Sequence, residues 1–234
     1  MAEVEARATP AFESPVDTRL CATVDRQDRH LILQDMSETT KLAIRADADQ
    51  PAAQWLAVAF GRSRRDGSAL IWGLRPGEWL VSGPAGAVNG VVDGLDTSGH
   101  VGVVDLTHGL ALFRLTGAGA ASVLEKTCSL DWSNVMTPDG AVVSASVAKV
   151  ACDIARHDLA DLEAEGEADG GVPGDAGDAV DGRRSYLLAC DRSFGNHLFE
   201  ATLDAGREFG IAVGTAAVFD PTDVAAGPAT DAGG

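Results

Sequence analysis

Residues 69–82, ALIWGLRPGEWLVS, and residues 101–116, VGVVDLTHGLALFRLT, decide the class of fold. In the first stretch, strand-like runs at 69–72 and 78–82 flank GLRPG. Its Pro-Gly pair supplies the fixed φ and the permissive φ that a tight turn requires. The second stretch repeats the pattern, with strands at 101–105 and 110–116 around a short polar turn. A helix-like segment follows each one: 85–95, interrupted by glycines, and 118–127, which carries no Pro. Hairpins alternating with helices indicate an α+β fold, with antiparallel sheets that carry helices on one face in ββα repeats.

Working outward, residues 30–34 and 41–45 read as two further strands joined as a hairpin through a Ser-Glu-Thr turn. Asp49 or Gln50 caps a helix with Pro51 in its first turn. Ala52, Trp55, Leu56, Ala59 and Phe60 recur along it until Gly61. GRSRRDG, at 61–67, is expected to be a solvated loop. Strands are expected at 141–147, 148–156 and 186–190. In the last helix Phe194, His197, Leu198, Ala201, Thr202, Ala205 and Phe209 repeat at helical spacing before Gly210.

Composition narrows the function. The chain has 234 residues, 45% of them hydrophobic, enough for one sizeable core. Its net charge of −17 is unevenly distributed. Between Asp158 and Asp181 there are nine acidic residues and no Lys or Arg. Residues 1–19 sum to −2 and 220–234 to −3, which leaves −3 for everything else. The acidic stretch at 158–183 reads as an exposed loop inserted in a single compact domain, 20–218, between flexible tails at 1–19 and 219–234. Without a basic face to displace counterions from phosphates, nucleic-acid binding is not expected. No apolar run reaches the roughly 18 residues that cross a bilayer, and no export signal opens the sequence. Cys21, Cys128, Cys152 and Cys190 are scattered, with no histidine at metal-ligand spacing, so reduced thiols in a cytoplasmic protein are expected.

Motifs that carry chemistry are few. GAGAAS, at 117–122, opens a helix after a strand as a dinucleotide loop does. Ser122 replaces its third glycine, however, and no parallel βαβ series surrounds it, so a tight turn accounts for it. Asp105 and His108 stand at acid–base spacing with only Thr107 as a nearby nucleophile; an Asp-Leu-Thr-His turn that caps backbone donors is the simpler account. His30, His100, His157 and His197 have no partner at useful spacing. Trp72, Trp79 and Trp132 are expected in the core, and would be interface anchors if exposed. Asp131, in KTCSLDW, is the carboxylate placed most suggestively. No catalytic residue or metal ligand is assigned.

GLRPGEWLVSGP at 73–84, VVDLTHGLALFRLTGAGAASVLEKTCSLDW at 103–132 and YLLACDRSFGNHLFEATLDAGREFG at 186–210 occur in this order. Together they resemble the gamma subunit of heterotetrameric sarcosine oxidase, over about residues 20–213. That family is similar in turn to the folate-binding superfamily of the aminomethyltransferases. The resemblance implies ferredoxin-like ββα repeats in an aminomethyltransferase folate-binding-domain-like fold. It also implies a non-catalytic structural subunit, with alpha, beta and delta subunits as partners in an oxidative demethylation of sarcosine or a related N-methyl amine to glycine. FAD, FMN, NAD and tetrahydrofolate are implied for those partners, and no cofactor for this chain. In the folate-binding relatives the segment matching SLDW usually reads Asn-Asp, with the Asp near folate. Here Asp131 is kept and Leu130 precedes it, so the resemblance implies that Asp131 is a remnant of that folate site or part of an interface. The alternative is a free-standing folate-dependent one-carbon transfer protein that uses Asp131. The iron-sulfur maintenance relatives carry a Lys-Gly-Cys-x-x-Gly-Gln motif that this sequence lacks.

Overall fold

Alternation of apolar side chains on both faces of the strands forces two sheets to share an interior. The computed structural model describes residues 12–16, 31–97, 99–159 and 184–214. Its elements in chain order are β1 (Leu31–Asp35), β2 (Thr40–Ala46), α1 (Pro51–Leu56), β3 (Ser63–Asp66), β4 (Ala69–Arg75), β5 (Glu78–Gly83), α2 (Ala85–Asp93) and β6 (Val101–Asp105). There follow β7 (Leu110–Gly117), α3 (Ala120–Thr127), β8 (Val142–Val147), β9 (Val150–Arg156), β10 (Ser185–Asp191), α4 (Gly195–Gly206) and β11 (Ile211–Gly214). A six-stranded sheet has the order β11-β1-β7-β10-β9-β8, and a five-stranded sheet the order β3-β4-β5-β2-β6.

Three apolar layers result. Leu31, Leu33, Phe113, Leu115, Ile154, Tyr186 and Leu188 of the six-stranded sheet pack with Val123, Leu124, Leu198 and Phe199 of α3 and α4. On the five-stranded sheet Leu42, Ile44, Ile71, Trp79 and Val81 pack with Ala52 and Leu56 of α1 and Val88 and Val91 of α2. The opposite faces meet in a central layer, where Leu70, Trp72 and Leu80 press on Leu112, Val142, Ala155, Leu187 and Ala189. The order is therefore helices, sheet, sheet, helices. Each large side chain buried here contributes about 1.5–3 kcal/mol. Trp72, fully buried, also donates its indole N–H to Ser82 Oγ at 3.0 Å.

The α+β class holds, but several local expectations are corrected. The six-stranded sheet is mixed and not antiparallel throughout, because β11, beyond the last strand expected from the sequence, lies parallel to β1. Residues 30–34 and 41–45 do not form a hairpin: β1 pairs with β7 and β11, whereas β2 pairs with β5 and β6. The connection between them is claimed by β7, since Met36 N–H donates to Leu112 O at 2.8 Å and Leu112 N–H to Ser37 Oγ at 3.0 Å. The segment 61–67 contains strand β3, paired with β4. Helix α1 stops at Leu56, where Ala57 adopts a left-handed conformation, and Trp55 and Phe60 are exposed. Helix α4 buries Gly195, Leu198, Phe199, Thr202, Ala205 and Gly206, a face rotated from the one read in the sequence. Phe194 and His197 lie outside. Two glycines are dictated by geometry. Gly77 turns β4 into β5 at φ 76°, and a Cβ on Gly73 would stand 2.2 Å from the Ala59 carbonyl oxygen.

Within the stretch read as an N-terminal tail, residues 12–16 lie against the domain. Val16 is buried, and the Phe12 ring sits between His108 and the Arg192 guanidinium. The expected C-terminal tail and the acidic insertion beyond 159 lie outside the described residues, as do Cys21 and His30.

Lys41, on β2, is fully buried where the chain crosses between sheets. Its ammonium donates to Ser37 O at 2.6 Å and Thr39 O at 2.8 Å, with no carboxylate in contact among the described residues. Burial pushes its pKa from 10.5 down to about 8, although Asp35 and Asp105 pull it upward. The unfolded lysine binds a proton up to its ordinary pKa while the folded one has lost it, so stability rises with pH between the two values. Urea unfolding should show a gain of up to about 3 kcal/mol between pH 8 and 10.5, absent in Lys41→Met. Equal pH slopes in the two proteins would refute this assignment.

Candidate functional site

Asp131 lies on the loop that follows α3. The helix ends at Cys128, whose extended backbone directs the chain away while its N–H still reaches Leu124 O at 2.7 Å. Trp132 then turns inward, 1% exposed, and meets the Tyr186 ring edge to face with centroids 5.4 Å apart. Residues 133–137 close a turn through Thr137 N–H to Ser133 O at 2.9 Å. Arg156, 5% exposed at the end of β9, clamps that turn. It donates to Asn134 Oδ1 at 2.6 Å and Thr137 O at 2.8 Å, and pairs with Asp158 at 2.7 Å. Pinned at Trp132 and at Arg156, the loop presents Leu130, Val135 and Met136 to solvent; Val135 is 86% and Met136 63% exposed.

Asp131 itself is exposed. Its Oδ1 accepts the Ser133 N–H at 2.8 Å, and hydrogen bonds from the Ser133 backbone and side chain hold its carboxyl below the usual carboxylate range. Among the described residues its hydrogen bonds go to Ser133 of its own turn. The arrangement orients the loop so that Trp132 can enter the core.

The other sequence candidates are dispersed. Asp105 Oδ1 accepts Thr107 N–H at 2.7 Å and Thr107 Oγ1 accepts Lys41 N–H at 3.1 Å, so the Asp-Leu-Thr-His turn caps backbone donors, while the His108 ring stacks on Phe12. The GAGAAS segment leads from β7, antiparallel to both neighbours, into α3. A Cβ at Gly119 would be 3.1 Å from Leu31 Cδ1 and 3.3 Å from Phe209 Cβ, so close packing explains that glycine. His197 contacts Ala148 O at 3.2 Å. His100 lines an open groove of about 570 Å³ with Arg45, Asp47, Pro76 and Glu78, where Arg45 and Glu78 pair at 3.1 Å. Trp72, Trp79 and Trp132 are all buried. Cys128, Cys152 and Cys190 are buried free thiols. Among the described residues no group of His, Cys, Asp and Glu is arranged to hold a metal, and no helix is long and apolar enough to cross a membrane. His157 does have a partner, Arg65, a pairing hidden by 92 residues of separation.

The family described as sarcosine oxidase, gamma subunit family (SoxG), matches residues 37–164. No curated protein matches the chain. Among solved structures, a chain of the heterotetrameric sarcosine oxidase from Corynebacterium sp. U-96, in complex with pyrrole 2-carboxylate, is similar with a TM-score of 0.64 at 22% identity. The match covers 86% of this chain and 97% of that one, and establishes likeness of fold. The glycine cleavage system aminomethyltransferase T from Bartonella henselae aligns at a TM-score of 0.49 and 16% identity, over 79% of this chain and 48% of that one.

If Asp131 only shapes a turn while Trp132 anchors it, Trp132→Ala should cost about 3–5 kcal/mol in denaturant unfolding. Asp131→Ala should keep most of the stability. An Asp131 variant as damaging as the tryptophan variant would overturn this division of roles.

Proposed function

Because the chain belongs to the sarcosine oxidase, gamma subunit family, we propose that it is a structural, non-catalytic subunit of a cytoplasmic, heteromeric sarcosine-oxidase-like flavoenzyme. In this reading the complex oxidatively demethylates sarcosine, or a related N-methyl amine, to glycine and passes the one-carbon unit to tetrahydrofolate. FAD, FMN and NAD belong to the alpha, beta and delta partners. The single observation that carries the reading is the family match across more than half of the chain. The fold likeness to a chain of a heterotetrameric sarcosine oxidase supports it.

The exposed loop supplies a physical means of association. Val135 and Met136 are apolar, adjacent and held outward by a turn that Arg156 clamps. Docking them recovers the burial free energy that isolation in water withholds. Because the loop is fixed before binding, little ordering entropy opposes association. Asp131, beside Leu130, then shapes the loop and takes no part in chemistry.

Co-expression with the presumed flavin-bearing subunits should yield a complex containing this chain. The double substitution Val135→Asp and Met136→Asp should weaken its retention by about tenfold or more, while the melting transition moves little because both side chains are exposed. Oxidation of sarcosine by the isolated chain, or failure to associate with any flavin-bearing subunit, would sink the proposal.

A further inference from the structure

Strand alternation brings three nitrogen-bearing side chains to one edge of the space between the sheets, with Arg65 exposed and Arg114 and His157 half-buried. On β3, Arg65 is the register partner of Leu70, whose side chain lies in the central layer. Arg65 therefore shares the face that looks at the other sheet. On β7, Phe113 and Leu115 face α3 and α4, so Arg114 between them faces the opposite way. On β9, Cys152 and Ile154 belong to the helix side. Continued past Ala155 in the central layer, the alternation places His157 on the inter-sheet side.

The contacts agree with this placement. Arg65 donates through Nε to His157 Nε2 at 3.1 Å, and its Nη2 reaches the same nitrogen. The imidazole is thus a neutral acceptor. Burial, followed by the charges of Arg65 and Arg114, pushes its pKa down to about 4. Arg114 is half-buried and spends Nε on Met36 Sδ at 3.3 Å. Burial and the charge of Arg65 lower its pKa to about 10.

Among the described residues these two guanidiniums pair with no carboxylate, although Asp158, Asp139 and Asp66 stand close by. Asp158 is committed to Arg156 and to Ser185 N–H, Asp139 accepts the Asp158 N–H, and Asp66 pairs with Arg64. Among the described residues, Nη1 of Arg65 and both Nη atoms of Arg114 make no hydrogen bond. In a chain of net charge −17, two like charges converge from different sheets with unspent N–H donors, a geometry suited to a ligand of opposite charge that presents paired oxygens.

We infer that Arg65, Arg114 and His157 form a binding site for a small oxyanion, a phosphate or a carboxylate, at the edge of the layer between the sheets. The guanidiniums supply the donors. His157 is a positioning residue that fixes the plane of Arg65. The site uses none of the side chains of the Leu130–Met136 loop and does not depend on the reading given above.

The test titrates the full chain, with its arginine side chains labelled with nitrogen-15, with inorganic phosphate in one arm and succinate in another, at constant chloride. The Nε–H resonances of Arg65 and Arg114 should shift saturably in at least one arm, and the tighter arm identifies the anion class. Arg65→Ser should weaken binding by about tenfold or more. Arg64→Ser should leave binding unchanged, because Arg64 points to the other face and donates to Leu56 O. Arg114→Met keeps the buried stem, so loss of binding with an unchanged melting transition separates a ligand role from a packing role. Absence of a saturable shift with both anions, or equal binding by wild type and Arg65→Ser, overturns the site.

Discussion

The central layer between the sheets is the constraint on which the rest depends. Trp72, Leu70 and Leu80 on one side, and Leu112, Leu187 and Ala189 on the other, must be apolar even though their strands already bury an opposite face against helices. Strands buried on both faces cannot alternate apolar with polar residues, which is why β4, β5, β7 and β10 read as nearly continuous apolar runs. Within this layer Trp72 is satisfied by Ser82 and Ser37 by the Leu112 backbone.

The crossing from β1 to β2 follows from that layer. β1 is the first of the described strands but serves the sheet formed mostly by the second half of the chain, so the two halves cannot separate without stripping an internal strand. Lys41 marks the crossing. Its desolvated ammonium on two carbonyls is costly below its folded pKa, and it satisfies backbone acceptors that the short connection would otherwise leave buried.

The loop after α3 combines a buried anchor with an exposed apolar tip. The rigid body pins one loop from below, through Trp132 and Arg156, and leaves apolar residues on its outer side. Asp131 belongs to the geometry of that loop. In the Arg65–Arg114–His157 group the two sheets bring charges together that neither sheet holds alone.

Much was legible in the sequence because it rests on short-range physics. The Pro76-Gly77 turn, the strands on either side of it and the glycine stop at Gly210 follow from φ preferences and period-two patterning within a few residues. The family segments carried the likeness to the gamma subunits. The supposed hairpin at 30–45 failed because two strands with equal apolar stripes give no local sign of which sheet will cover them. The buried face of α4 was misassigned because Phe194 and His197 fit the helical period but point to solvent, while Phe199 and Gly206 meet the sheet. Residues 61–67 look solvated by charge, yet pairing with β4 makes four of them a strand. The sequence by itself determined the α+β class, the turns and the lack of a recognisable catalytic motif. Only the tertiary structure decided which strands pair, which face of each is covered, and that Arg65 meets His157 across 92 residues, because those outcomes depend on long-range contacts.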